Sequence, residues 1–470
     1  MNPSNRYDAI VIGAGPGGVF TAYELIKLDP ALRVCVIDRG GPIESRLCPI
    51  DGKKITACIH CKTCNIMNGF GGAGGMSDGK YNITNSFGGD LYTYTGRDEA
   101  LALMEYVDRV NLELGGGDAK LYNTASSGLK SEALRYDLHL LEAKVRHLGT
   151  DRNRKILKNL YELLKERIDF RFHEEVFTVV REDGELVVST DKDRYRAPVA
   201  AVAAGRSGSK WISELCAKFG IETKSNRVDI GVRVELPAAV FEHITSRVYE
   251  SKFVYRTKKY GDLVRTFCMN PYGEVVNENT NGIVTVNGHS YADPRYHTEN
   301  TNFALLVSNT FSEPFKDSNL YGESIARLSN MLGGGVIVQR FVDLVSGRRT
   351  NDHRFSQCFL NPTLKATPGD LSLVIPKRQL DDIVEMIYAL DKIAPGTAND
   401  DTLLYGVEVK FYNSRVAVNE RLETAVKGLY ILGDGSGVTH SLSQAAASGV
   451  YVARMIAGAS RAKEETNGVE

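Results

Sequence analysis

The stretch from Tyr7 to Asp38 limits what this chain can fold into more than any other. Tyr7-Asp8-Ala9-Ile10-Val11-Ile12 is a short apolar run and reads as a buried parallel strand. It leads into Gly13-Ala14-Gly15-Pro16-Gly17-Gly18, a full G-x-G-x-x-G. A helical pattern follows, with Ala22, Leu25 and Ile26 on one face. A second apolar run, Val34-Cys35-Val36-Ile37, ends in Asp38, twenty residues past Gly18. Strand, glycine loop, helix, strand and acid in this register define a dinucleotide-binding βαβ unit. Gly13 permits the tight turn, Gly15 admits a pyrophosphate to the backbone, Gly18 lets helix pack on strand, and Asp38 meets a ribose hydroxyl. The helix N-terminus, opened by Pro16 and Gly17, adds N–H groups and the positive end of its dipole. Arg39 completes this edge as a candidate cofactor residue.

The 470 residues suffice for two or three domains with large cores. Lys plus Arg (57) balances Asp plus Glu (58), which argues against a nucleic-acid partner. No signal-peptide pattern and no apolar run of about 18 residues is seen, so no membrane span is expected. Four of the eight cysteines crowd into residues 48–64, the pattern of a local site in a reducing, cytoplasmic setting.

Along the chain, Gly69-Phe70-Gly71-Gly72-Ala73-Gly74-Gly75-Met76-Ser77-Asp78-Gly79-Lys80 is dense in glycine. Such density implies backbone held close to something, or unusual φ, and the expected partner is the same cofactor. Residues 98–168 read as mostly helical. The last helix starts near Asp151 and places Ile156, Leu160, Leu163 and Leu164 on one face. Asp169–His173, Val176–Arg181 and Glu185–Thr190 read as strands, the last two joined as a hairpin across Asp183-Gly184. Ala197–Ala204 is a small-residue strand leading into Gly205. Ile230-Gly231-Val232-Arg233-Val234-Glu235 alternates like a half-buried strand and opens a β-rich α+β region. Leu380–Ile393 is helical. Leu429–Leu432 is again a buried strand, followed by Gly433-Asp434-Gly435-Ser436-Gly437. Ser441-Leu442-Ser443-Gln444 then reads as a capping box opening a helix to Ile456. The fold class is therefore α/β: a Rossmann-like parallel-sheet domain interrupted by a β-rich α+β domain.

Cys58-x2-Cys61-x2-Cys64, with Cys48 ten residues upstream of Cys58, can bind a [4Fe-4S] cluster. Zinc with His60 as a ligand, a redox dithiol, and reduced cysteines without a metal stay open beside it.

With both ends read, the chain resembles the two-dinucleotide-binding-domain flavoproteins. The glycine runs 71–75 and 433–437, Ser77-Asp78-Gly79-Lys80, Arg265-Thr266-Phe267-Cys268-Met269, Val286-Asn287-Gly288 and Gly347-Arg348-Arg349 narrow the resemblance to the FAD-dependent (NAD/FAD-utilising) dehydrogenases. The resemblance implies FAD in the N-terminal glycine loop and Asp434 on the ribityl chain. It implies a helix at Ser443 and Gln444 aimed at the flavin. Gly72, Ala73, Gly74, Ser77, Asp78, Val176, Ala204, Gly205 and Gly433 complete the expected cofactor set. The expected organisation is an FAD-binding domain in three pieces (1–90, 169–211 and 396–460), a helical insertion (91–168), a substrate domain (212–395) and a flexible tail (461–470). Gly333-Gly334-Gly335 ends a helix, so no second phosphate loop is expected and NAD(P)H would bind only transiently.

His440 is a candidate proton carrier or a packing residue. Asn287, His289, Arg340, Arg348 and Arg349 are candidates from the second domain, the arginines either clamping a carboxylate or forming salt bridges. The expected function is an FAD-dependent oxidoreductase moving a hydride between flavin and a small-molecule substrate, with NAD(P)H or a ferredoxin-like donor as redox partner. The alternative is a partner-dependent electron-transfer flavoprotein or redox sensor.

Overall fold

Both apolar runs of the opening motif become strands: β1 (Ala9–Ile12) and β2 (Val34–Asp38), joined by α1 (Pro16–Leu28). β1 is buried throughout and β2 as far as Ile37, as a parallel sheet covered on both faces requires. Pro16 opens α1, where its missing N–H is one the helix would not have used. The computed structural model describes residues 5–49, 59, 61–280, 282–291, 293–312, 314–315 and 317–467. They divide into two compact units: Met1–Lys120, Arg146–Asn226 and Tyr412–Glu470 in the first, Leu121–Val145 and Arg227–Phe411 in the second.

In the first unit follow α2 (Arg97–Asn111), α3 (Thr150–Leu164), β3 (Asp169–Phe172), β4 (Val176–Glu182), β5 (Glu185–Thr190), β6 (Arg194–Ala197) and β7 (Val199–Val202). The parallel sheet runs in the order Leu429–Ile431, β7, β1, β2, β3. This is a Rossmann-like α/β sheet. β4, β5 and β6 form an antiparallel meander. Its first turn is the expected hairpin: Asp183 and Gly184 have φ of 51° and 82°, the left-handed pair that a type I′ turn needs.

Residues 98–168 are mostly helical, as expected, but not continuously so. Between α2 and α3 lie short strands at Leu121–Asn123, Leu138–Leu140 and Lys144–His147, after a wide turn at Leu112–Gly116 where Gly115 has φ of 121°. α3 is preceded by Gly149, with Asp151 inside its first turn. It buries Leu157 beside Ile156, Leu160 and Leu164 and leaves Leu163 exposed. The C-terminal helix, Leu442–Asn467, runs past the expected Ile456.

The second unit holds β8 (Val228–Pro237), β9 (Phe253–Arg256), β10 (Leu263–Asn270), β11 (Glu274–Thr280), β12 (Ile283–His289), β13 (Asn300–Asn309), α4 (Ser318–Gly333), β14 (Ile337–Arg340), α5 (Lys377–Asp391) and β15 (Leu403–Lys410). An eight-stranded sheet runs in the order Thr367–Pro368, β14, β15, β8, β13, β10, β9, Leu138–Leu140; β11 and β12 pair as a separate hairpin. The 121–145 segment thus contributes an edge strand here instead of lying in a helical insertion. The unit extends to Phe411, beyond the expected 395, because β15 pairs with both β14 and β8. Gly334, with φ of 65°, caps α4, as the glycine run there implied.

β8 corrects the half-buried reading. Nine of its ten residues are buried, charged ones included. Ile230, Val232 and Val234 join a core with Ile383, Ile387 and Leu390 of α5. Arg233 and Glu235 have no exposed surface either.

Candidate functional site: a loop edge in the first unit and a buried polar sheet face in the second

In the first unit the loops after β1, β2 and β7 and after Leu429–Ile431 leave the carboxyl ends of parallel strands, where open α/β sheets bind ligands. Gly13, with φ of 102°, makes the turn out of β1; a Cβ there would come within 2.5 Å of the Ala203 carbonyl oxygen. A Cβ at Gly18 would overlap the Gly13 carbonyl. The two glycines thus serve turn and packing. A Cβ at Gly15 would meet nothing nearer than 3.9 Å, so its approach side is open beside the helix start.

Asp38 lies at the end of β2 as expected, and the structure gives it more to hold. One carboxylate oxygen accepts from the Ala14 N–H (2.8 Å), the other from Gly40 (2.7 Å) and Gly69 (2.9 Å). A carboxylate has about four acceptor sites, so one remains for a ribose hydroxyl. A cleft here is lined by Gly13, Asp38, Arg39, Val176 and Ala204, all expected, and by Asn68, Glu174, Glu175, Ser207, Gly208 and Trp211. Arg39 Nε donates to Asn68 Oδ1 (2.8 Å) and its guanidinium stands 3.7 Å from Glu175. The Trp211 indole N–H donates to the Phe177 carbonyl (3.0 Å), which fixes the ring as a wall.

The glycine-rich run meets protein at close range. The Gly71 N–H donates to the Ala14 carbonyl (2.8 Å), and a Cβ at Gly72 would come within 2.8 Å of Gly15 Cα. The organiser of this run is Arg46, fully buried, donating to the carbonyls of Asn65 (3.0 Å), Ile66 (2.7 Å) and Phe70 (2.6 Å). Burial pushes its guanidinium down to about 10 against the pull of Asp38. Ala73 and Gly74 lie in the short helix that follows, and Ser77 Oγ donates back to the Gly74 carbonyl (2.8 Å). Asp78 accepts from Lys80 (3.2 Å) and faces His147 (3.5 Å). Burial alone would raise its carboxyl, but the Lys80 ammonium and the contact with His147 hold it well below the usual range.

At the last loop Asn413 bridges two candidate residues, its amide donating to the carbonyls of Asp434 (2.8 Å) and Gly205 (3.4 Å). The Asp434 carboxylate accepts from Thr439 (3.3 Å) and Gly433 has φ of 66°. His440 stands edge-on to Tyr412, ring centroids 4.6 Å apart. Ser441 caps the C-terminal helix through the Gln444 N–H (3.3 Å), but the reciprocal half of the capping box is not made. Instead the Gln444 amide donates to the carbonyls of Thr84 and Phe87 (3.2 Å each) and accepts from the Leu91 N–H (3.3 Å), pinning that loop. Ser443 Oγ is buried with no hydrogen-bond partner.

Cys48, Cys61 and Cys64 are exposed free thiols. Cys58 and His60 lie outside the described residues. Among the described residues no group of three or more His, Cys, Asp or Glu is placed to hold a metal ion.

The second-domain candidates are engaged within their own unit. Asn287 donates to Glu278 (2.8 Å) and accepts from Arg233 (3.3 Å). His289 stacks edge-on against Tyr291 at 4.7 Å. Arg348 donates to Asp343 (2.7 Å), and Arg340 pairs with Asp401 (2.6 Å). Arg349 is exposed, its carbonyl accepting from Arg354 (2.7 Å). Charge concentrates instead on β8: Arg233 makes a bidentate pair with Glu408 (2.7 Å for each bond), and Glu235 accepts from Tyr405 (2.6 Å), Asn300 (3.0 Å) and Thr363 (2.5 Å).

Residues 227–411, which form the main segment of the second unit, match the family described as "FAD-dependent protein, C-terminal domain-like". The main segment of the second unit is thus similar to a domain described for FAD-dependent proteins. None of the curated proteins compared with the chain matches it in sequence. Among solved structures, the chain is similar to glycine oxidase from Geobacillus kaustophilus (12% identity, 96% of this chain and 95% of that chain, TM-score 0.42). It is similar also to L-proline dehydrogenase from P. horikoshii (14% identity, 96% and 93%, TM-score 0.38). Likenesses of this order say nothing about substrate. Among the described residues, no helix is long and apolar enough to cross a membrane.

Proposed function

We propose that the protein is an FAD-dependent oxidoreductase that moves a hydride between the flavin and a small-molecule substrate. The observation that carries this reading is the first unit's loop edge: an open approach at Gly15, a ribose-competent Asp38, a cleft walled by Trp211, and a buried, unpartnered Ser443 Oγ. These residues fit FAD. Gly13, Gly15 and the start of α1 would hold the pyrophosphate. Asp38, Arg39 and Asn68 would meet the adenosine ribose, and Asp434 with Ser443 the ribityl and ring end. When bound, FAD supplies the hydride chemistry. The chain's own part is to bind and orient, to exclude water, and to hold a proton carrier, for which His440 is the candidate beside Tyr412.

The test is the absorption spectrum of anaerobically purified protein, with iron and acid-labile sulfide assayed on the same sample. Flavin bands are expected, with flavin content falling strongly in Asp434→Ala. Tryptophan fluorescence, which comes from Trp211 alone, should rise as flavin is lost. Unchanged flavin content in that variant, or none in the wild type, overturns the reading. Iron and sulfide would add a relay at Cys48, Cys58, Cys61 and Cys64; their absence leaves thiols or a spectrally silent zinc there. Flavin that is reduced yet turns over no small molecule identifies the partner-dependent electron carrier instead.

A further inference from the structure

The polar face of the second unit's sheet has the makings of a ligand site. Register across β10, β13 and β8 sets Phe267, Ala304 and Arg233 in one row, a small residue between a ring and a guanidinium. Three cations converge on the Phe267 ring: Lys252 Nζ at 4.2 Å, Lys410 Nζ at 5.0 Å and the Arg265 guanidinium at 5.1 Å from its centroid. Lys252 is anchored on Glu250 (3.0 Å) and Arg265 on Asp229. Phe267, Cys268 and Lys410 are partly exposed, while Lys252 and Arg233 are buried behind them.

The row is also bent. Pairing between β10 and β13 shifts register between Phe267 and Asn270, and Cys268 sits there with φ of 46°, a conformation L side chains rarely adopt. Arg233 Nη1 and Asn270 Nδ2 hold its carbonyl, both at 3.0 Å. Bulges of this kind re-aim side chains and recur next to active sites.

At the bulge one donor is unused. Asn302 Oδ1 accepts from Arg233 Nη1 (2.9 Å) and Asn270 Nδ2 (3.2 Å). Turning the amide over would set donors against donors, so these two bonds fix its orientation. Nδ2 is left with no hydrogen-bond partner on a residue with no exposed surface. A buried N–H without an acceptor is unfavourable unless something fills the place.

We infer that this face binds a small organic carboxylate, one oxygen of which accepts from Asn302 Nδ2 while its charge lies among the cations gathered at Phe267. The inference names the substrate class of the proposed oxidoreductase and rests on that reading only for the chemistry, since the binding itself needs no flavin.

Calorimetric titration of the full-length protein with acetate, pyruvate, succinate and L-alanine tests it, with inorganic phosphate run in parallel and flavin content read on the same samples. At least one carboxylate should bind saturably. Asn302→Asp keeps an acceptor for Arg233 and Asn270 but puts a like charge where the donor was, and should weaken binding about tenfold or more. Lys252→Met with Glu250→Gln removes a cation together with the carboxylate it pairs with, and should weaken binding as well. If Asn302→Asp fails to fold, this second variant decides. No carboxylate binding, or affinity unchanged in the folded variants, overturns the inference and leaves Asn302 to a buried water. Phosphate binding in place of every carboxylate overturns it too. Carboxylate binding by a protein that holds no flavin would overturn the oxidoreductase reading and leave this one standing.

Discussion

β2 and β8 are both buried almost from end to end, and for opposite reasons. β2 is Val34-Cys35-Val36-Ile37 up to Asp38, apolar to both sides, and its place in the sheet needs only hydrophobic neighbours. β8 alternates, and the alternation marks two interiors rather than a wet face and a dry one. Val228, Ile230, Val232 and Val234 enter a hydrocarbon core, while Asp229, Arg233 and Glu235 enter a polar one. Each of those charges is matched: Asp229 by Arg265 and Ser308, Arg233 by Glu408, Glu235 by Tyr405, Asn300 and Thr363. Period-two patterning therefore reports that the two faces differ. It does not report which face meets water.

Breaking one pair should show the difference most strongly. Glu408→Ala leaves Arg233 buried without its partner, and a loss of about 3–5 kcal/mol is expected by urea denaturation. Arg233→Met combined with Glu408→Leu should recover most of it. A loss of about 1 kcal/mol or less for Glu408→Ala would mean that water reaches this face and that the contrast with β2 is only apparent. On the first unit's side, Gly13→Ala forces a Cβ against the Ala203 carbonyl at a φ of 102°. A loss of about 2–3 kcal/mol is expected there, with flavin retention falling alongside it. Stability unchanged by this substitution would show that the turn relaxes.

A buried acid whose charged neighbour is another acid sharpens the comparison. Asp382 on α5 has no exposed surface, and the polar groups that meet its carboxyl are Thr257 and the Asp262 carboxyl. Its neighbour Asp262 is held by Arg378 through two bonds (2.6 and 2.7 Å). Burial pushes the Asp382 carboxyl up to about 6, with Asp262 adding to the effect. The folded state therefore holds this proton more tightly than the unfolded chain does. Its contribution is favourable at low pH and is lost as pH rises from about 4 towards 6. Asp382→Asn should change stability little near pH 4 and raise it above pH 6, by up to about 3 kcal/mol, read from thermal midpoints across that range. A gain that is equal at both pH values would remove the titration from the explanation.

The fold of the first unit was largely legible because its opening βαβ unit is written in residues close together along the chain. Gly13, Gly15, Gly18 and Asp38 fall within one βαβ unit, and the Asp183-Gly184 hairpin is a two-residue decision. Misreadings arose where partners are far apart. The glycine-rich run lies against Gly15 of the first glycine loop, and only the structure shows that Arg46 gathers the carbonyls around it. An arginine destined for three backbone carbonyls has no local mark. Neither has Asn413, which joins the Gly205 and Asp434 loops across 208 and 21 residues of chain. Ser441-x-x-Gln444 looked like a capping box, and only the nearby loop at Thr84–Leu91 decided that Gln444 would turn away from the helix end. The helical stretch 98–168 is interrupted where glycines occur and where Leu138–Leu140 finds a partner strand in β9, and the second break has no local mark.

By itself the sequence determined the parallel sheet, its glycine turn and the acid at the end of β2, because each depends on backbone conformations that neighbouring residues impose. Only the tertiary structure decided that β8 would have two buried faces, that Arg233 would meet Glu408 from 175 residues away, and that Asn302 would keep one donor unused. Those outcomes depend on strand register, and register is settled by the whole sheet at once, not by any stretch of it.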